Sequence, residues 1–194
     1  MLHDCIVTKK IVLLLLVSLF GLTTLLLNAQ TNPPIVINSY FNAGSPNDEW
    51  TELVVVQDNL DLRGWNLRDN NATQDSWQEP IFFKNTPFWQ NLRKGTIIII
   101  NHRSGSLPFD DLKADGFIRV SADDSRFFSG GSFPNSTLSI AGAGDLLEIR
   151  NSGTHLHSLG HQVSVGSSYN ELPFPKLNHS ASLSNNEAVM VCPG

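Results

Sequence analysis

"EWTELVVVQDNLDLRGWNLRDNN", Glu49 to Asn71, decides the fold, because it places an unbroken apolar run between two tryptophans and follows it with a loop rich in Asp and Asn. Side chains alternate across a strand, so Thr51, Leu53 and Val55 share one face while Trp50, Glu52, Val54 and Val56 share the other. A charge at Glu52 is hard to bury without a partner, which assigns the Leu53 face to the core. The loop "QDNLDLRG" then carries the chain to "GWNL". There Trp65 and Leu67 point inward and Asn66 and Arg68 outward, making Trp65 a core residue of a second sheet.

The same reading extends outward along the chain. Short runs rich in β-branched and aromatic residues, each bounded by Gly, Pro, Asn or Asp, occur at 34–41, 50–56, 64–69, 80–84, 95–101, 116–121, 136–140, 145–150 and 154–160. The run 154–160 is expected to pair with a closing strand at 187–191. Apolar residues at helical spacing over three turns are absent from the chain after residue 29. An all-β sandwich follows. "IIII" at 97–100 is apolar on both faces and predicts a central strand covered on each side. "GAGD" at 142–145 reads as a tight turn; as a nucleotide loop it lacks the third glycine and the following helix. From Val163 to Asn186 the chain is irregular, and Pro173 and Pro175 argue against regular pairing there.

Residues 1–29 read as a signal peptide: Lys9 and Lys10 precede the uncharged "IVLLLLVSLFGLTTLLL", and Ala29 stands at the polar boundary. The rival reading is an uncleaved anchor, since about 17 apolar residues is the lower limit for a spanning helix. In that case the segment would be the only contact with a membrane. Export places the product outside the cell or at its surface. Removing Asp4, Lys9 and Lys10 leaves 11 basic against 17 acidic residues, a formal charge of -6 in place of -5. Such a surface, with no basic stripe, does not attract phosphate backbones, which argues against nucleic acid as a partner. Only Cys192 remains after processing, so the fold must hold by packing without an intrachain disulfide. The division is 1–29 signal peptide, 30–162 sandwich, and 163–194 an irregular segment with its closing strand.

Taken together, "IVINSYFNAGSPNDEWTELVVV", "LDLRGWNLRD", "LRKGTIIIIN" and "LSIAGAGDLLEIRNSGTHLHSLGH" resemble the lamin tail domain family. The residues that carry the likeness are Ile35, Ile37, Asn38, Glu49, Trp50, Glu52, Leu53, Asp61, Leu62, Gly64, Trp65, Leu67, Gly95, Gly144 and Asp145. The chain departs from the family pattern at Ser39, where an acid is usual, and at His157, where an aspartate often stands. The resemblance implies an immunoglobulin-like sandwich. For an exported bacterial chain it implies a module for binding, surface attachment or the spacing of other domains. Its partner would be a protein or carbohydrate at the cell surface.

Three constellations offer chemistry. "HLHSLGH" sets His155 and His157 two apart, hence on one face of a regular strand, with His161 as a third candidate ligand for zinc. On that basis the alternative function is a metal-dependent hydrolase or the accessory domain of one. Asp48, Glu49 and Glu52 could supply oxygens to calcium, although their spacing matches no EF-hand loop. Trp77, Phe88 and Trp89 lie in a long loop and could stack on a sugar or a protein partner. No G-x-S-x-G elbow is present. The expected function is therefore non-catalytic, with no cofactor required.

Overall fold

The structure, a computed structural model, describes residues 32–105, 115–133, 137–164 and 167–191. The signal-peptide segment and Cys192 lie outside the described residues, and no helix among those described is long and apolar enough to cross a membrane.

Among the described residues, eleven strands form two sheets. The first sheet contains β1 (Ile35–Asn42), β2 (Trp50–Val55), β5 (Ile97–Asn101), β6 (Phe117–Ser121) and β11 (Glu187–Met190), in the order β11-β1-β2-β5-β6. The second contains β3 (Asn66–Asp69), β4 (Ile81–Phe83), β7 (Phe128–Gly130), β8 (Asp145–Asn151), β9 (Thr154–His161) and β10 (Lys176–His179), in the order β10-β9-β8-β3-β4-β7. Neighbouring strands run antiparallel except at β5/β6 and β9/β10.

Alternation decides what is buried. Thr51, Leu53 and Val55 are all sealed from solvent, as are Trp65 and Leu67, and both groups turn toward one interior. Ile35 and Ile37 from β1, Ile98 and Ile100 from β5, and Leu147, Ile149 and Leu159 from the second sheet complete a single core. The isoleucine run departs from expectation: Ile98 and Ile100 are buried, but Ile97 and Ile99 on the other face of β5 are only partly covered.

Three pairings also differ from the sequence reading. The closing strand β11 pairs with β1, not with 154–160; β9 lies between β8 and β10. Lys176 to His179 form β10 immediately after Pro175, alongside β9. A proline bars pairing only where its own N–H would be needed, so Pro173 and Pro175 leave the next four residues free. Of the run 136–140, the described residues 137–140 are not a strand, although Leu138 and Ile140 are buried with strand-like spacing. Its N–H groups are taken by side chains, for the reason given below.

One end of the interior is filled by rings. Phe83, Phe88, Trp89, Phe127 and Phe128 pack mostly edge to face, with centroids 4.6 to 5.4 Å apart between close neighbours. The indole N–H of Trp89 donates to the Phe127 carbonyl at 2.9 Å. This satisfies the one polar atom of a fully buried side chain.

Candidate functional site

The histidine group does not share a face. Along β8 and β9, Ile149 pairs with His157 and Arg150 with His155, so Leu156 is an extra residue on β9. Such a bulge breaks the two-residue period, and side chains that regular spacing puts together separate to opposite faces. His155 lies on the outer face, where Nδ1 is 2.9 Å from Glu148 Oε1 and Nε2 is 3.1 Å from the Pro175 carbonyl. His157 lies inside and accepts the Ile37 N–H on Nδ1 at 3.2 Å. A neutral ring with Nδ1 as acceptor carries its proton on Nε2. Burial, helped by the nearby His155, pulls His157 down to about 4.

His161 is also inside. The Tyr40 hydroxyl lies 2.6 Å from its Nδ1, and its Nε2 lies 3.2 Å from the Gly142 carbonyl. A carbonyl can only accept, so Nε2 carries the proton and Tyr40 donates to Nδ1. Burial lowers the pKa of His161. It raises that of Tyr40, with the Asp145 charge adding to the effect. Gly142 itself has no room for a side chain, since a Cβ would come within 2.6 Å of the Leu183 carbonyl.

Beside this pair lies a layer of buried acids that single-residue reading had no means of finding. Four consecutive main-chain N–H groups, from Leu138 to Ala141, are held by three carboxylates from three parts of the chain. Leu138 and Ser139 donate to Asp69. Ile140 donates to Glu49 Oε2 at 2.9 Å, and Ala141 donates to Asp145 Oδ2 at 2.7 Å. Each acid replaces a neighbouring strand as acceptor, and this is why 137–141 crosses the sandwich without joining a ladder. Leu138 sits at φ 52, a conformation costly for an aliphatic residue and held here by its neighbours. Burial raises Asp69 to about 7 against the pull of its hydrogen bonds, and the Glu49 charge adds to this. Asp145 is raised for the same reason, with Asp69 and Glu49 contributing. His102 Nδ1 stands 3.8 Å from Glu49 Oε2, and its Nε2 is 2.8 Å from Thr51 Oγ1.

A fourth buried acid, Glu148, anchors the outer face of the second sheet. Arg68 contacts its Oε2 through Nη2 at 2.6 Å and Nε at 2.7 Å, and Arg150 Nε lies 3.5 Å from Oε1. Burial alone would raise the pKa of Glu148, but His155, Arg68 and Arg150 together outweigh it and hold the carboxyl below its ordinary value. The Arg68 guanidinium also stacks over the Trp77 ring at 3.9 Å.

The remaining candidates are dispersed. Asp48 is exposed in the 3-10 turn Pro46–Asp48, Glu49 points into the interior, and Glu52 lies on the opposite face of β2 bonded to Asn38. Alternation along β2 separates Glu49 from Glu52. Trp77 packs on Arg68, while Trp89 and Phe88 belong to the aromatic packing, so the three form no common platform. Among the described residues, no three His, Cys, Asp or Glu side chains are grouped so that they could hold a metal ion. What the inner layer does chemically is hold backbone N–H groups with carboxylates sealed from solvent. No protein-family model, no curated protein and no solved structure matches the chain.

Proposed function

We propose that this chain is an exported, non-catalytic module of the immunoglobulin-like, lamin-tail type, serving binding, adhesion or the spacing of other domains at the cell surface. The observation that supports this reading is the employment of its reactive side chains. Asp69, Glu49, Asp145, His157 and His161 each hydrogen-bond a main-chain group of the fold itself. All five are buried. General acids, bases and nucleophiles must come within hydrogen-bond reach of a substrate, and side chains committed in this way stabilise a scaffold instead. The reading is tested by incubating purified residues 30–194 with panels of phosphoesters and glycans, with and without added zinc or calcium. No turnover is expected in any condition. Turnover abolished by His157→Asn or His161→Asn, in variants that keep the parent's melting temperature, would overturn it.

A further inference from the structure

We propose that the free edge of β11 is a dimer interface, at which a second copy of this chain adds its own β11 antiparallel and closes the groove between the two sheets.

β11 ends the first sheet and β10 ends the second, and between them lies a groove of about 260 Å³. Leu159 and Val189 are its buried walls, Leu177, Met190 and Val191 line it further out, and Asn178 and His179 add polar groups on the β10 side. Met190 is 61% exposed and Leu177 41%. Phe174, 73% exposed, lies three residues before Leu177. Among the described residues, three of the five exposed large hydrophobic side chains therefore cluster in sequence around these two edge strands.

Hydrogen-bond parity gives a second copy of β11 a self-complementary register on this edge. Val191 donates its N–H to Asn38 of β1. Alternation along an antiparallel strand then turns the N–H and C=O groups of Ala188 and Met190 away from β1, toward the open side. The register that uses all of these groups pairs Ala188 with the second copy's Met190, and Met190 with the second copy's Ala188. It sets Val189 against its own counterpart on a two-fold axis, as isologous dimers require. Glu187 then falls opposite the second copy's Val191, so no like charges meet. The carboxylate of Glu187 is already engaged by the Ser184 N–H at 2.6 Å. On the inward side the added strand presents Val189 and Val191, apolar groups that fit a groove walled by Leu159 and Leu177. Exposed edges are commonly guarded by lysine, proline or a bulge, and β11 carries none of these.

The test uses residues 30–194, which contain the compact unit Pro33–Gly194. Sedimentation velocity over a hundredfold concentration range is expected to show a monomer–dimer equilibrium. Ala188→Pro removes an outward N–H that β1 does not use. It should leave the circular dichroism unchanged and shift the equilibrium to monomer by at least tenfold in dissociation constant. Independently, Val189→Cys in a Cys192→Ser background should form an intermolecular disulfide under mild oxidation. The paired Cα atoms of a non-hydrogen-bonded antiparallel site lie about 4.5 Å apart, within disulfide range. A monomer at every concentration would overturn the proposal. So would a dimer indifferent to Ala188→Pro whose Val189→Cys form does not cross-link, or a monomer whose edge instead takes up an extended apolar peptide of unrelated sequence.

Discussion

Glu49 Oε2 accepts the main-chain N–H of Ile140 at 2.9 Å, joining residues 91 positions apart within the buried interior. Glu49 immediately precedes β2, on the same alternating face as Thr51 and Leu53, so the burial of that face carries the acid inward with it. There it stands in for a strand. Glu49→Ala leaves a buried N–H without its acceptor and should cost about 1–3 kcal/mol in urea unfolding. Glu49→Gln keeps an acceptor oxygen and should lose less. Hydrogen exchange at the Ile140 amide should accelerate in the alanine variant more than exchange at Ile98, which lies away from the tie.

Asp69 and Asp145 both have pKa values raised by burial, Asp69 from 3.8 to about 7. A carboxyl whose folded pKa exceeds its unfolded value binds more protons when folded, so its contribution to stability is full below the unfolded pKa and is lost as pH rises through the folded one. The unfolding free energy should therefore carry a component that falls between pH 4 and pH 7. Asp69→Asn should flatten that limb whatever its effect on the baseline, as read from urea midpoints measured at half-unit intervals.

His157 works in the opposite sense. Its folded pKa is lowered from 6.5 to about 4, so its contribution is present above 6.5 and is lost as pH falls toward 4. Protonation of Nδ1 would also break the bond from Ile37. Imidazole NMR should show the Nε2–H tautomer at pH 6, with charging delayed to near pH 4. An ordinary titration near 6.5 would contradict the buried assignment. Because the Asp69 limb and the His157 limb cover the same range with opposite sign, they offset one another between about pH 4 and 6.5, and Asp69→Asn should uncover the histidine limb.

Trp89 is fully buried among Phe83, Phe88, Phe127 and Phe128, and its N–H is satisfied by Phe127. Trp89→Ala should cost about 3–5 kcal/mol, as large-to-small changes of buried aromatics do. Trp89→Phe should cost less, its penalty arising from the lost indole hydrogen bond to the Phe127 carbonyl, which keeps the Lys84 N–H as a donor. Loss of the most blue-shifted component of the tryptophan emission should accompany either change.

The sequence by itself determined the class of fold. Period-two burial at Thr51, Leu53 and Val55, and again at Trp65 and Leu67, is a local property, because alternation follows from the backbone and needs no knowledge of what lies opposite. The positions of most strands were legible for the same reason. Partnership was not: that β11 joins β1, that β10 forms beside β9, and that 137–141 takes carboxylates as acceptors are outcomes of long-range contacts. The histidine group shows the limit most sharply. A single extra residue at Leu156 reverses the face of His155 relative to His157, and nothing in "HLHSLGH" marks the bulge. The burial of Asp69 and Asp145 was not legible in the sequence, since burial of a charge is decided by what the rest of the chain brings over it.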